Sequence, residues 1–580
     1  MKAITAAAAR AVVHGGGEVA LLDVREAGQF GEGHALFAVP APYSRLEHMV
    51  PALVPRRETP IVLVDDGDGI AARAATALGR LGFSALNWIE GGMPAWAAVG
   101  HPVYKGVNVP SKLLGELAEA LWHPATITAK ELADWQRRGA PFRFFDARPP
   151  TEYAKMRVPG AVCLPNGELA HRLTVAAADE QEPVIVTCAG RTRGIIGAIG
   201  LKLAGRRGEV LALENGTQGW ALAGHALERG NTALPYPELS ASDLADASAR
   251  AAAIRERFTI PRVTAGEARS FLADTDRTTY FFDVRSEAEA RDDPLPGAAC
   301  APSGQLVQAT DQWVGVRRSR IVLADDSGMR ATLAAFWLKQ LGYAPAVVII
   351  DDRLRGGVAA NAGNGQGFVD STSKRKSPPL SAAPTSPPQG GRVAGGEIVP
   401  QRSPPLRGRG PEGTERGPAA CSYLRIDPVS ARNQVAAGTA HFVDLRASLT
   451  YRKSHVEGAL WLVRPRAPEM AAAMGERAAL LIADDLEMAV FAARDLQEAG
   501  IADIRIVEGG HEGLAQAGAP LVSTPDTPSD AEAIDHLFFV HDRHDGNLGA
   551  SRRYLAWETG LIAQADEAEL AQFRLIGPAG

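Results

Sequence analysis

The sequence has few cysteines and no long apolar runs. There are only four cysteines in 580 residues, and none stands at the spacing of a disulfide framework or a zinc site. We therefore exclude a disulfide-stabilised secreted scaffold and expect a reducing compartment, the cytoplasm. No stretch approaches the length that crosses a bilayer, so a membrane span is not expected either.

A strong excess of charge is also missing. The chain has 61 Lys and Arg against 67 Asp and Glu, a net charge of -6, and its basic residues form no stripe. Neither a nucleic acid nor a membrane surface is therefore expected as a partner. Residues 1–14 are typical of a first helix rather than a signal peptide, because the apolar run is short and lacks a processing site. The length exceeds what one core can fill and predicts roughly three to five domains.

What the sequence does have is one unit repeated four times. A short apolar strand ending in Asp-x-Arg opens each unit, and a second apolar strand follows it. The Asp-x-Arg copies are Asp23–Arg25, Asp146–Arg148, Asp283–Arg285 and Asp444–Arg446. The residues directly after the second strand are Asp65, Cys188, Asp325 and Asp484, which lie 42, 42, 42 and 40 residues beyond the first aspartate. Spacing kept this closely across four units indicates a common fold.

Each unit continues with a helix and a third strand. Strands alternating with helices in units of about a hundred residues predict α/β domains, each a parallel sheet covered by helices on both faces. Helices near 104–123 and 236–258 are expected to bridge consecutive units, and a Pro-, Gly- and Ser-rich segment is expected to be a disordered linker. The predicted organisation is four tandem domains at 1–103, 124–230, 259–358 and 422–523, the linker at 361–420, and a helical C-terminal tail at 530–580.

Only the second unit carries a cysteine after its second strand. Cys188 follows the strand Val184–Thr187, and a short loop leads from it into a helix. At the carboxyl end of a strand and the amino end of a helix, backbone N–H groups converge and favour an anion. We therefore expect an accessible thiol with a lowered pKa that acts as a nucleophile. The alternative is a half-buried structural cysteine.

The second unit resembles the rhodanese family, the thiosulfate-type sulfurtransferases. The residues that carry the resemblance are Asp146–Arg148, Glu152-Tyr153, Val158–Val162, the Cys188 loop and Glu214-Asn215-Gly216 with Trp220. It implies that Cys188 carries sulfur as a persulfide, taken from a small anionic donor such as thiosulfate and passed to cyanide, a thiol or a thioredoxin-like protein. It implies no metal and no cofactor.

The resemblance also implies roles for the loop that follows Cys188. Its backbone amides would stabilise the thiolate and the persulfide, and Arg193 and Arg191 would hold the anionic group of the donor. The substrate-binding residues implied in this way are Ala189, Gly190, Arg191, Thr192 and Arg193.

The other three units have an Asp-Asp pair where the second has its cysteine. A carboxylate at a helix start is an ordinary N-cap, and it could fill the amide nest that a thiolate would otherwise occupy. Only the second unit is therefore predicted to be catalytic. The Asp-x-Arg pair persists without a nucleophile, which indicates an architectural role and leaves Asp146 and Arg148 as secondary site candidates. Arg330, in the position of Arg193, is interpreted as a relic.

Two other functions stay open. Three silent units would suit a non-catalytic sulfur-sensing or scaffold protein. A phosphatase or arsenate reductase of related fold is less favoured, because five residues separate cysteine and arginine in those enzymes and only four separate Cys188 from Arg193.

Three smaller features complete the sequence-based predictions. Cys163 and Cys300 occupy matching positions and are predicted to be buried packing thiols rather than resolving cysteines. His536, His541 and His544 cluster with aspartates but match no strong metal-ligand motif. We interpret that segment as part of a tail that docks on another unit.

Overall fold

The computed structural model describes residues 1–356, 424–541 and 547–578. The expected linker at 361–420 lies outside the described residues. The described chain forms four α/β domains followed by a helical tail, and the predicted fold class is confirmed.

The first domain contains five strands and five α-helices. They are β1 (Lys2–Ile4), α1 (Ala6–His14), β2 (Ala20–Asp23), α2 (Ala27–Glu32), β3 (Val39–Pro40), α3 (Leu46–Leu53), β4 (Ile61–Val64), α4 (Ile70–Arg80), β5 (Leu86–Ile89) and α5 (Gly92–Ala98), with a 3₁₀ turn at Tyr43–Arg45. The connecting helix α6 (Val109–Trp122) leads to the second domain, within the range predicted for it.

The second domain contains the Cys188 loop. Its elements are β6 (Thr126–Ile127), α7 (Ala129–Arg138), β7 (Arg143–Asp146), α8 (Pro150–Lys155), β8 (Val162–Cys163), α9 (Asn166–His171), α10 (Leu173–Ala176), β9 (Val184–Thr187), α11 (Thr192–Leu203), β10 (Val210–Leu213) and α12 (Gly216–Leu222). The second predicted connecting helix is α13 (Ala241–Arg257).

The third domain repeats the pattern. Its elements are β11 (Arg262–Val263), α14 (Ala265–Ala273), β12 (Thr279–Asp283), α15 (Glu287–Asp292), β13 (Ala299–Cys300), α16 (Ser303–Gln308), β14 (Arg320–Asp325), α17 (Met329–Gln340), β15 (Ala344–Ile349) and α18 (Asp352–Arg355), with a 3₁₀ turn at Thr310–Gln312.

The fourth domain and the tail complete the described chain. The domain has β16 (Leu424–Ile426), α19 (Pro428–Ala436), β17 (Ala440–Asp444), α20 (Ser448–Lys453), β18 (His455–Val456), β19 (Leu460–Trp461), a 3₁₀ turn at Arg464–Arg466, α21 (Ala467–Met474), β20 (Ala478–Ile482), α22 (Leu486–Glu498), β21 (Ile504–Val507), α23 (Gly510–Gln516) and β22 (Leu521–Val522). The tail has α24 (Phe538–His541), α25 (Leu548–Thr559), α26 (Leu561–Gln564) and α27 (Glu567–Leu570).

All four main sheets have five parallel strands in one order. In the second domain this order is β6-β10-β9-β7-β8, and the other three sheets follow it strand for strand. The central strand β9 is buried along its whole length, since helices cover both faces of a parallel sheet. The topology therefore delivers the residue after β9 to the carboxyl edge of the sheet, where ligands bind in open α/β folds.

The apolar core is shared unequally among the domains. One continuous cluster of buried side chains runs through the first three domains and includes Leu561 and Phe573 of the tail, whereas the fourth domain has two separate clusters. No helix among the described residues is both long and apolar enough to span a membrane.

Candidate active site

Cys188 lies between the end of β9 and the start of α11, as its sequence context predicts. The backbone N–H groups of Gly190 and Gly194 face its sulfur and favour its charged form, which lowers the pKa of the thiol. These residues stand two and six places after the cysteine, one in the loop and one in the first turn of the helix. The sulfur therefore lies in a nest of main-chain donors, an environment that stabilises negative charge.

Two of the domains without this cysteine, the first and the third, hold a carboxylate at the same place. Asp65 accepts hydrogen bonds at 2.9 Å from the N–H groups of Gly67 and Ala71, again two and six places further on. Asp325 accepts from the N–H groups of Arg330 at 2.8 Å and Ala331 at 3.3 Å. This confirms that a carboxylate fills the nest in the first and third domains.

In the fourth domain the neighbouring aspartate takes over the capping. Asp485, rather than Asp484, accepts from the N–H of Glu487 at 2.8 Å and so caps α22.

The closing turn of the second domain holds the Cys188 loop from the other side. Thr217 donates its N–H to the carbonyl of Cys188 at 2.9 Å, and the side-chain amide of Gln218 donates to the carbonyl of Ala189 at 3.2 Å. Gly216 has a φ of +52°, and a Cβ there would lie 2.2 Å from the Cys188 carbonyl oxygen. Only glycine fits where the turn crosses the loop.

The expectation of an open thiol with a lowered pKa is wrong. The side chain of Cys188 is only 2% exposed. Burial raises the pKa of Cys188 above its ordinary value, and this effect outweighs the lowering by Arg193 and by the N–H groups of Gly194 and Gly190. The sequence of the loop carries no sign of this burial.

Both loop arginines are engaged by carboxylates. Arg193 forms two hydrogen bonds to Glu152, at 2.8 and 2.7 Å, and its charge is the main electrostatic influence that lowers the pKa of Cys188. Arg191 turns toward α6, where it binds Glu116 at 2.7 Å and also contacts Glu119. The structure thus brings Arg193 to the sulfur and joins Arg191 to the connecting helix. Their roles in donor binding stay predictions.

Thr192 and Ala189 face residues that the sequence did not connect with the site. The carbonyl of Ala189 is held by Gln218, as described above. The hydroxyl of Thr192 donates to Glu558 Oε1 at 3.0 Å. Glu558 lies in α25 of the tail, 366 residues further along the chain. The sequence predicts a docking tail, but nothing in it indicates that Glu558 contacts the Cys188 loop.

The Asp-x-Arg pair is architectural, as predicted. Arg148 binds Asp146 through two hydrogen bonds, at 2.9 and 2.6 Å, and donates to the carbonyl of Met156 at 2.6 Å. The same bidentate pair, with the same link to a carbonyl eight residues beyond the arginine, occurs in the other three domains. It ties the strand end to the following loop in every unit.

The two other described cysteines differ in exposure. Cys163 is buried, as predicted, and donates its S–H to the carbonyl of Arg148 at 3.4 Å. Cys300 is half-buried, which corrects the prediction that it is fully packed. Burial raises the pKa of each thiol to about 12. Both are free thiols.

Arg330 is an interdomain contact rather than a relic. The side chain is fully buried and binds Asp325, Asp326 and Glu289 of its own domain at 2.8–2.9 Å. It also binds Glu168 of the second domain at 2.9 Å. Arg330, which stands at the position of Arg193, thus joins the third domain to the second.

The tail docks on the first three domains, which confirms that prediction. Besides Glu558, Glu569 accepts a hydrogen bond from the hydroxyl of Tyr104, and Arg574 donates its N–H to the carbonyl of Gln340 at 2.8 Å. His536 stacks on His541, whereas His544 with its neighbouring Asp542 and Asp545 lies outside the described residues. The described residues contain no group of three or more His, Cys, Asp or Glu arranged to hold a metal ion.

Comparison with known proteins gives one family. The family model of the rhodanese-like domain matches residues 5–99, 128–223 and 264–358. A crystal structure of thiosulfate sulfurtransferase from Pseudomonas aeruginosa is similar along the chain, with 33% identity, a TM-score of 0.82 and coverage of 99% of this chain and 100% of that one. The chain belongs to the rhodanese family. The resemblance inferred from its residues is therefore confirmed.

A second relative matches a smaller part of this rhodanese. A curated thiosulfate sulfurtransferase from Pseudomonas aeruginosa is 28% identical over 162 residues, which cover 25% of this chain and 59% of that protein. The match thus spans less than two thirds of that relative's length. The family model matches the first three domains, and the fourth has the same strand order.

Proposed function

We propose that this rhodanese is a sulfurtransferase that moves sulfane sulfur through a persulfide on Cys188. The observation that carries the proposal is the shared amide nest. In the first domain, the N–H groups two and six places after Asp65 bind its two carboxylate oxygens, and the N–H groups at the same positions in the second domain face the sulfur of Cys188. A nest that fits an anionic oxygen also fits a thiolate or a persulfide anion. The similarity along the whole chain to a thiosulfate sulfurtransferase supports the same chemistry.

The reaction consists of two displacements. The Cys188 thiolate attacks the outer sulfur of thiosulfate, the S–S bond of the donor breaks, and sulfite leaves with the electron pair. A nucleophilic acceptor then attacks the outer sulfur of the persulfide, and the Cys188 thiolate is released. With cyanide the product is thiocyanate, and with a thiol it is a new persulfide. Thiosulfate is the leading donor, and a small thiol or a thioredoxin-like protein is the leading cellular acceptor.

Two features of the site limit loading. Cys188 is covered, so a donor reaches it only when the side chains over the loop move aside. Arg193 is paired with Glu152, so the donor's anionic group must replace that carboxylate to use the guanidinium. The other three domains lack the nucleophile and are proposed to be structural or regulatory.

Intact-mass measurement after exposure to thiosulfate tests the proposal. We expect the protein to gain one sulfur atom, Cys188→Ser to gain none, and the matched control Cys300→Ser to behave as wild type. Absence of the adduct with thiosulfate and with other sulfur donors contradicts the proposal and favours the scaffold function. Turnover of an aryl phosphate would favour the phosphatase instead.

A further inference from the structure

The C-terminal helix α25 places a carboxylate on the Cys188 loop. Glu558 is 2% exposed, and its Oε1 accepts a hydrogen bond from Thr192 at 3.0 Å. Its Oε2 lies 2.9 Å from the position that a Cβ at Gly190 would take. The tail therefore contributes a side chain to a site whose other parts come from the second domain.

Two buried oxygen atoms at this place have no hydrogen-bond partner among the described residues. One is Oε2 of Glu558 and the other is Oε1 of Gln218, whose side chain also lies against Gly190. Leaving a buried acceptor unpaired is costly, and native proteins rarely do so without a reason. The unpaired oxygen of Glu558, which lies against Gly190, suits a ligand that donates a hydrogen bond.

Among the neighbouring arginines, Arg191 interacts with Glu558, but it is shared with other carboxylates. Arg193 is paired with Glu152, and Arg191 is paired with Glu116 and Glu119. Glu558 therefore adds a fourth carboxyl group beside a loop that has two arginines. In a buried site, where the effective dielectric constant is low, such a charge repels anions and attracts cations strongly.

We propose that Glu558 is a specificity-determining residue of the Cys188 site, which disfavours anionic partners and favours sulfur compounds that carry an ammonium or another N–H donor. This inference rests on the proposed function and specifies its substrate class. Thiosulfate stays the leading donor, with its loading slowed by its two negative charges, and an amino thiol is the favoured acceptor.

Alkylation of Cys188 measures the charge selection without any sulfur transfer. Iodoacetamide and iodoacetate react with the thiolate by the same displacement of iodide and differ mainly in charge. We expect Glu558→Gln to raise the ratio of the iodoacetate rate to the iodoacetamide rate about tenfold. Glu567→Gln, the same change at an exposed position of the tail, should leave the ratio unchanged. Rates are read from the peptide that contains Cys188.

Sulfur transfer to two thiol acceptors of opposite charge gives the second readout. The persulfide is discharged in single turnovers to cysteamine, which carries an ammonium group, or to 3-mercaptopropionate, which carries a carboxylate. We expect the preference for cysteamine to fall about tenfold in Glu558→Gln and to stay constant in Glu567→Gln.

An unchanged alkylation ratio in folded Glu558→Gln overturns the inference. If that variant does not fold, the ratio of the two alkylation rates at Cys188 of wild type is compared with the ratio for a free cysteine whose amino and carboxyl groups are blocked. The inference requires a lower iodoacetate-to-iodoacetamide ratio at Cys188, and an equal or higher ratio overturns it. A shifted ratio without any persulfide would refute the proposed function and leave the charge selection standing. If a persulfide forms on Cys188 but the alkylation ratio is the same in Glu558→Gln and wild type, the proposed function stands and the charge selection is refuted.

Discussion

At Cys188, burial and hydrogen bonding act on the thiol in opposite directions. The N–H groups of the nest and the charge of Arg193 favour the thiolate, but removal of water from the sulfur costs more, so the pKa rises. A thiol in this state is protected while the site is closed. Because the thiolate is the nucleophile, a movement that lets water reach the sulfur would lower the pKa and raise its reactivity.

The first prediction follows from that raised pKa. The rate of Cys188 alkylation by iodoacetamide should keep rising with pH beyond the ordinary thiol value of about 8.5, because the thiolate forms only at higher pH. The measurement is the rate at the Cys188 peptide across a pH series. A midpoint at or below the value of a free cysteine peptide would contradict the prediction.

A second prediction concerns Glu26, a buried carboxyl of the first domain. Burial raises its pKa from 4.5 to about 7, so the fold favours the protonated form. The stability that this group contributes is complete below pH 4.5 and is lost as the pH rises toward 7. From those two values, the loss amounts to about 3 kcal/mol.

The comparison with Glu26→Gln isolates this effect. Relative to the variant, the free energy of unfolding of wild type should fall by that amount between pH 4.5 and pH 7, measured by urea unfolding at each end. If the free energies of unfolding of wild type and Glu26→Gln differ by the same amount at pH 4.5 and at pH 7, the prediction is refuted.

At this scale the sequence predicts what is local and misses what is distant. The cysteine in its nest and the carboxylates of Asp65 and Asp325 follow from a strand, a loop and a helix that are adjacent in the chain. Glu558 reaches the same loop from far along the sequence, and no periodicity indicates which loop a distant helix will cover. The raised pKa of Cys188 was missed for the same reason, since burial is a property of the folded chain.

At the scale of elements, the α9–α17 contact links the second and third domains through Arg330. Its partners Asp325 and Glu168 are themselves buried, and removal of the arginine would leave Asp325 without a salt-bridge partner among the described residues and Glu168 with Arg172 alone. Breaking a buried ion pair from one side is far more destabilising than losing a surface pair.

We expect Arg330→Ala to lower the free energy of unfolding by about 3–5 kcal/mol. The matched control is Arg291→Ala, because Arg291 is exposed and its ion pair is with the exposed Asp292. Chemical denaturation of both variants measures the difference. A loss of under about 1 kcal/mol in Arg330→Ala, the scale of a surface ion pair, would show that the network adds no stability.

The elements themselves were largely predictable. Strands such as β4, β9 and β14 are short apolar runs, which is what a parallel strand buried on both faces requires. The connecting helices α6 and α13 and the tail helices fall where helical patterns predicted them. The role of Arg330 was not predictable, because a pairing across domains depends on how α9 and α17 meet.

At the scale of the whole molecule, the fourth domain is joined differently from the other three. The first three share one apolar core, whereas the fourth meets the first through a polar joint centred on Arg464. Arg464 is buried, binds Glu47 of the first domain at 2.8 Å and binds Asp495 of its own domain at 2.7 Å. Tyr43 donates its hydroxyl to Asp495 at 2.9 Å across the same joint.

This difference predicts two steps in thermal unfolding, one of them belonging to the fourth domain. Arg464→Ala should lower that step selectively, because it leaves Glu47 buried without its cation and Asp495 with only Arg73, at 3.8 Å. The exposed Arg477→Ala serves as the control. Calorimetry combined with hydrogen exchange of the fourth domain makes the measurement. A single transition, shifted as a whole, would show that the four domains unfold together.

The repeat count and the common topology could be predicted from the sequence, but the arrangement of the units could not. Four copies of Asp-x-Arg define four sheets, since each copy ties its own strand to its own loop. Which domains share a core depends on apolar surfaces of helices that a repeat pattern does not distinguish.

The aspartates of the silent domains have a consequence for how such a molecule evolves. Asp65 and Asp325 act as tethered ligands, so those domains are saturated permanently by a group of their own chain. A duplicated unit can therefore exchange its cysteine for an aspartate by one substitution. The backbone N–H groups at the start of the helix then still have a hydrogen-bond acceptor. Such a replacement keeps the helix start stable, so copies without the cysteine can persist beside the domain that has it.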